Sequence, residues 1–115
     1  MSDNCLFCKI AKGAIPSQKV YEDEKVFAFR DINPQAPLHI IIIPKKHIGA
    51  LCDVSLSDEN VLGHIQFVAS EIARQFPEAK NGFRIVNNCG ADAGQTVFHI
   101  HYHLLAGRVF GWPPG

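Results

Sequence analysis

The chain has 115 residues, enough for a single domain over 1–115 with a buried core, and its 47% hydrophobic and 19% charged content is that of an ordinary globular protein. Lysine plus arginine and aspartate plus glutamate each number 11, so no basic excess draws nucleic acid or an acidic membrane surface. A small nucleotide needs no such field, and the composition leaves it open as a ligand.

Met1-Ser2-Asp3-Asn4 lacks the charged-then-apolar pattern of a secretion signal, which sets the expectation of a cytoplasmic protein with reduced thiols. Cys5, Cys8, Cys52 and Cys89 then read as metal ligands or plain residues rather than a disulfide framework. Asn4 to Lys12 is expected to form a short helix, capped by Asn4 and ended by Gly13. Ile15-Pro16-Ser17 is a turn. Lys19 to Glu22 and Val26 to Phe29 are short strands, with Asp23-Glu24 suited to the hairpin between them. Asp31 to Pro37 carries two prolines and an asparagine and is a loop. Leu38 to Ile43 is β-branched and apolar, as a central strand is, and Pro44 ends it. That run is far too short to cross a bilayer.

Ser55 to Phe76 is the one long helix. Val61, Leu62, Ile65, Val68, Ala69, Ile72 and Phe76 fall on one stripe at helical period. Ser57 suits the cap, Asp58 and Glu59 suit the positive end of the dipole, and Pro77 stops the helix. Phe83 to Asn87 is a fourth strand, Asn88 to Gly94 a loop, Thr96 to Leu105 a fifth strand, and Trp112-Pro113-Pro114-Gly115 a stiff tail. The expected fold is α+β, a mainly antiparallel five-stranded sheet with one long and one short helix.

Strand side chains alternate between faces, so His99, His101 and His103 share one face, with about 6.6–7 Å between neighbours. Half of the chain's six histidines on one strand face are hard to assign to core filling. Two chemistries fit them. Closely spaced imidazoles suit Zn²⁺. Alternatively, one neutral imidazole, with a reference pKa of about 6.5, attacks phosphorus while its neighbours hold the phosphate. The segment Asn88 to Thr96 favours the second chemistry. Its glycines let backbone amides approach a phosphate, and Gln95 and Thr96 add short polar donors.

His99-Ile100-His101-Tyr102-His103-Leu104-Leu105 resembles the histidine-triad pattern, in which histidines alternate with apolar residues. Gly94-Gln95-Thr96-Val97 before it, and Gly107-Arg108 and Trp112-Pro113-Pro114-Gly115 after it, resemble the Hint branch, the histidine triad nucleotide-binding proteins. Cys5-Leu6-Phe7-Cys8-Lys9-Ile10, the Asp31-Ile32-Asn33-Pro34-Gln35-Ala36-Pro37 loop and Ile43-Pro44-Lys45-Lys46-His47-Ile48 extend the resemblance to nearly the whole chain.

The resemblance implies a purine nucleoside phosphoramidase. Such an enzyme hydrolyses an AMP-like nucleoside 5′-phosphoramidate to an amine and the monophosphate through a nucleotidyl-histidine intermediate. It makes His101 the nucleophile and turns His103 and His39 toward the α-phosphate or leaving group. Thr96 stands where many relatives have serine and keeps the hydroxyl. Gln95, Gly94 and Thr96 would bind phosphate, with Asn88 in support. Asp31 would accept from the ribose hydroxyls, and Phe7, Ile10, Phe29 and Ile32 would line the base pocket, although by sequence they are equally good core residues. A twofold homodimer built from the long helix and sheet edges is also implied, with Trp112 near the partner's site. The rival readings are a dinucleoside polyphosphate hydrolase of the same family and a non-catalytic purine nucleotide-binding protein.

Cys5 and Cys8 share one face if the first segment is helical, and two thiolates with two imidazoles complete a tetrahedral zinc site. The resemblance to bacterial members supplies His47 and His99 as the other ligands. The alternative is a pair of buried, apolar-like thiols. Cys52 and Cys89 read as structural, although Cys89 lies in the loop where its oxidation would matter. His64 suits a surface or subunit contact.

Overall fold

The computed structural model describes residues 4–115; Met1-Ser2-Asp3, read above for a secretion signal, lie outside them. Five short runs of β-branched and aromatic residues make the sheet: β1 (Lys19–Glu22), β2 (Val26–Arg30), β3 (Leu38–Pro44), β4 (Phe83–Val86) and β5 (Tyr102–Ala106). Their order is β1-β2-β3-β5-β4, and every neighbouring pair is antiparallel. The α+β architecture expected from the sequence is the one observed.

All seven residues of β3 are buried, because both faces of the central strand are covered. Leu38, Ile40 and Ile42 pack with Ile65, Val68, Ala69 and Ile72 of the long helix α2 (Glu59–Ala73). Ile41 and Ile43 pack on the other face, with Phe27 and Phe29 of β2 and with Phe7 and Ile10 of the short helix α1 (Leu6–Ala11). Alternation puts His39 on this second face. The register sets Ile41 opposite His103 and His39 opposite Leu105, so two histidines meet beneath α1.

Helix ends depart from the sequence reading. The cap of α1 is Cys5, whose Sγ accepts the Cys8 N–H at 3.4 Å, rather than Asn4. The long helix is preceded by a 3-10 turn, Leu56–Asp58, and its cap position is Asp58 rather than Ser57. Asp58 is buried, accepts the Ser55 N–H at 3.0 Å and pairs with Lys46 at 2.6 Å. Those partners satisfy a carboxylate that an exposed serine at 57 cannot replace. At the other end α2 stops at Ala73, and Phe76 follows as an extended residue that still packs against the core. His64 reaches from α2 to Asp23 at 2.6 Å and ties the helix to the β1–β2 hairpin.

The fifth strand begins at Tyr102, not Thr96. Its ladder starts at Tyr102 opposite Ile42 on β3 and at His103 opposite Val86 on β4; β3 runs on, but Ile43 and Pro44 pair only with β2. The chain bends there instead, and the Ile100 N–H donates to Ile48 O at 2.6 Å. Alternation nevertheless persists. Ile100, Tyr102 and Leu104 enter the α2-side core, while the Phe7 ring touches both His99 and His101 on the other side.

Gly107 closes β5 with φ 99°, and a Cβ there would sit 2.8 Å from Pro37 Cβ. Left-handed backbone strain and forced overpacking each cost about 1–3 kcal/mol, so Gly107→Ala is expected to lose about 2–4 kcal/mol of stability. A denaturant midpoint reads this directly. A loss below about 0.5 kcal/mol, the size of a neutral surface change, would show that the Pro37 loop yields freely.

Candidate functional site

Three imidazoles on the α1 face are fixed by hydrogen bonds, His39 and His103 to one another and His101 to the backbone. The Gln35 backbone N–H donates to His39 Nδ1 at 3.0 Å, so a neutral His39 carries its proton on Nε2. That N–H donates to His103 Nδ1 at 2.8 Å, which leaves the His103 proton on Nε2. Asp31 Oδ2 stands 3.4 Å from His39 Nε2 as a second acceptor. His101 donates from Nδ1 to the carbonyl of His99 at 2.8 Å, so its Nε2 keeps a lone pair. The His101 and His103 rings lie 5.1 Å apart, and Phe7 presses edge-on against His101 at 5.0 Å. A ring nitrogen with a lone pair therefore stands beside a ring that carries a donor, which is the pairing that nucleophilic catalysis with proton transfer needs.

The neighbouring loop is shaped from inside. Gly90 and Gly94 have φ 89° and 90°. Gln95 is buried, and its Oε1 accepts the Gly90 N–H at 2.9 Å while Nε2 donates to Gly49 O at 2.9 Å and Val97 O at 3.1 Å. Its carboxamide thus holds the loop's curve through backbone groups. Thr96 is exposed and Asn88 half-buried. The residue beside it, Asn87, donates from Nδ2 to His101 O at 2.9 Å and steadies the histidine backbone. Two adjacent asparagines marked this spot in the sequence, but nothing in the pattern said which one reaches inward.

Asp31 has a side chain only 17% exposed, and its Oδ1 accepts the Asn33 N–H at 2.7 Å. Phe7, Ile10 and Phe29 are buried together, with the two phenyl rings 5.5 Å apart. Ile32 is fully exposed and stands apart from them, as does Trp112 at 84% exposure.

A second cluster lies at the other end of the histidine run. Cys5 Sγ is 3.3 Å from His99 Nδ1, Cys8 Sγ is 3.4 Å from both His47 Nδ1 and His99 Nδ1, and the two Nδ1 atoms are 3.3 Å apart. Zn–S of about 2.3 Å and Zn–N of about 2.0 Å in a tetrahedron give edges of about 3.5 Å between sulfur and nitrogen and about 3.3 Å between nitrogens. Three sulfur–nitrogen distances and the nitrogen–nitrogen distance match these edges. His99 Nε2 donates to Pro44 O at 2.7 Å, which leaves Nδ1 bare for a metal, the usual arrangement for a ligating imidazole. Asp31, His39 and His103 are also close enough to form a ligand group. Their two facing ring nitrogens, however, are 2.8 Å apart, a hydrogen-bond length and short of the about 3.3 Å that one zinc sets between two nitrogens. The two chemistries left open by the sequence thus find separate residues: His99 sits with the cysteines, His101 and His103 with His39.

Residues 12–110 match the family model of the HIT domain. The chain is 48% identical over 111 residues to the purine nucleoside phosphoramidase of Escherichia coli K12, covering 96% of this chain and 93% of that protein. It is 51% identical over 113 residues to a 14 kDa zinc-binding protein of Zea mays, covering 96% and 87%. Among solved structures it is similar to a HIT family hydrolase from Legionella pneumophila Philadelphia 1, with a TM-score of 0.94, 51% identity, and 97% and 100% of the two chains covered. Among the described residues, no helix is long and apolar enough to cross a membrane.

Burial lowers the pKa of His39 and His101 and, with the neighbouring His101 and His39 adding to it, pushes His103 down to about 4. Asp31 opposes the shift in all three, but burial outweighs it. The folded value of His103 is below the unfolded one of about 6.5, so folding favours its neutral ring. Its contribution to stability is full above pH 6.5 or so and is lost as pH falls toward about 4. A ring-nitrogen NMR titration should find His103 neutral well below its ordinary midpoint; a midpoint at or above about 6.5 would contradict the assigned burial and tautomer.

Proposed function

The chain belongs to the HIT domain family, and on that premise we propose that it is a purine nucleoside phosphoramidase working through a nucleotidyl-histidine intermediate on His101. The observation that carries this reading is the bond from His101 Nδ1 to the His99 carbonyl, which commits Nε2 as a lone pair. The pKa lowered by burial keeps that ring neutral, as an imidazole nucleophile must be.

In the first step His101 Nε2 attacks the α-phosphorus. An N–P bond to the enzyme forms as the substrate's P–N bond breaks, and the departing amine takes a proton from water while the neutral His103 Nε2–H donates a hydrogen bond to the leaving nitrogen. In the second step the hydroxide left by that water attacks the same phosphorus and expels His101 with its lone pair restored. Substrate and water become amine and nucleoside monophosphate. Charge on the phosphoryl oxygens is met by the Thr96 hydroxyl and by Asn88, while Gly94 and Gln95, whose own N–H groups donate to Ala91 O and Gly90 O, shape the loop that carries them. His39 donates to His103 and so keeps the His103 N–H donor on the outer nitrogen. Asp31 retains free acceptor sites on Oδ2 for the ribose hydroxyls. Phe7, Ile10 and Phe29 form an apolar wall for the purine, and the exposed Ile32 side chain would have to fold in from its loop to cover the base. The protein acts as one HIT domain in the cytoplasm and as a homodimer, with the exposed Trp112 reaching the partner's site.

Cys5, Cys8, His47 and His99 hold a structural zinc in this reading, supported by the tetrahedral edges and by the name of the maize relative. The ion supplies folding free energy and ties α1 to the segment that carries the nucleophile. A set of four protein ligands leaves no open position for substrate.

Wild-type protein quenched during turnover of an adenosine phosphoramidate should carry adenylate on the peptide containing His101. His101→Ala should lose about 10⁴-fold or more in rate while still binding AMP. Turnover near wild type would remove His101 as nucleophile. AMP binding by wild type with no turnover would favour the regulatory binding protein instead. Elemental analysis should find one zinc per chain, and stripping it should lower Tm by several degrees while any protein that stays folded keeps its rate. A folded, zinc-free enzyme without activity would give the metal a catalytic part.

A further inference from the structure

The remaining two cysteines meet on the far side of the loop. Cys89 Sγ accepts the backbone N–H of Cys52 at 3.4 Å. Since an N–Cα bond is about 1.46 Å, the Cys52 Cα lies within about 4.9 Å of that sulfur, close enough for a χ1 rotation of Cys52 to bring the two sulfurs together. Cys52 is exposed and Cys89 half-buried, so a small oxidant reaches both. Their backbones are already pinned to one another. Gln95 Nε2 donates to Gly49 O at 2.9 Å, Gly90 N donates to Gln95 Oε1 at 2.9 Å, and Ile100 N donates to Ile48 O at 2.6 Å. A disulfide would therefore join segments that are already neighbours, without moving the fold.

We propose that Cys52 and Cys89 form a reversible dithiol–disulfide pair, which locks the loop from Asn88 to Thr96 onto the 3-10 turn Leu51–Asp53 that follows β3. The oxidant is a low-molecular-weight disulfide. The Cys89 thiolate attacks it, forming a mixed disulfide and releasing one thiolate. Cys52 then gives up its proton and attacks the Cys89 sulfur, releasing the second. Two protein thiols are oxidised, the small disulfide is reduced to two thiols, and two electrons and two protons are conserved. Cys89 attacks first because its side chain and the Asp53 carboxylate push the Cys52 thiol up. An exposed disulfide of this kind is readily reduced again. The loop is the one proposed above to hold phosphate, but the crosslink does not rest on that reading and is detected without substrate.

The test uses the whole, zinc-loaded protein treated with glutathione disulfide, alkylated, and digested with trypsin without reduction. Cys52 falls in the peptide 47–74 and Cys89 in 85–108. The expected product is these two peptides joined and two hydrogens lighter than their sum, lost on dithiothreitol and absent from Cys52→Ser and Cys89→Ser. Each variant should instead keep a glutathione adduct on its remaining thiol. Hydrogen exchange across 88–96 should slow by about threefold or more in the oxidised protein but not in oxidised Cys52→Ser. Separate adducts on Cys52 and Cys89 in wild type, oxidation confined to Cys5 and Cys8, or no oxidation at all would overturn the pair. A formed crosslink with unchanged exchange would overturn the lock.

Discussion

His99 spends every polar atom of its ring, and its backbone carbonyl, on a different task. The ring is fully buried, with Nε2 on the Pro44 carbonyl and Nδ1 facing two sulfurs and the His47 nitrogen. Its carbonyl takes the His101 Nδ1 proton. The cysteine–histidine cluster and the tautomer of His101 thus depend on the placement of one residue. If the His99 carbonyl turned away, the His101 proton would be free to move to the other nitrogen, and the lone pair would point along the chain instead of outward. The bond to Pro44 prevents this, because it anchors the same residue to the end of the central strand.

The sheet explains why these rings are neutral. One face of β3 is closed by α2 and the other by α1 and β2, so the imidazoles sit in apolar surroundings beside Phe7. Low polarity disfavours the charged ring and lowers its pKa. Asp31 opposes the shift only in part, since it stands against His39 at 3.4 Å and its own charge is shared with the Asn33 N–H. A more intimate carboxylate would hold His39 protonated, and a charged His39 would press on His103 and compete for its lone pair. The observed spacing orients the ring and leaves it uncharged.

Much of this was legible in the chain. The β3 run, the α2 stripe and the shared face of the three histidines follow from side-chain periodicity, a local property of sequence. The features that escaped are set by partners distant in sequence. Thr96 to His101 reads as strand, but a strand requires a ladder, and β5 pairs with β3 only from Tyr102 and with β4 only from His103, although β3 itself runs on to Pro44 beside β2. Asp58 outranks Ser57 at the helix start because Lys46 arrives from the segment after β3. Gln95 reads as a phosphate donor, and the carbonyls of Gly49 and Val97 that occupy its amide are visible only in the fold. The spacing of Cys5 and Cys8 made their closeness legible, but not the role of Cys5 as a helix cap, since sulfur is a poor substitute for the oxygen usually found there.

The early end of β5 is also what lets three alternating histidines serve two sites. In a regular strand His99 would continue the row set by His103 opposite Ile41, about 6.6–7 Å from His101, and all three rings would face the same groove. Released from the ladder, the chain bends toward Ile48, and His99 swings to the cysteines of α1. His103 stays in register and meets His39 at 2.8 Å, a distance that suits a shared proton and is too short for two nitrogens on one zinc. Between them His101 keeps one nitrogen on the backbone of its predecessor and shares its surroundings with the ring of its successor. A single irregularity of backbone pairing therefore divides a uniform sequence motif into a cysteine–histidine corner and a hydrogen-bonded His39–His103 corner, with His101 at the boundary.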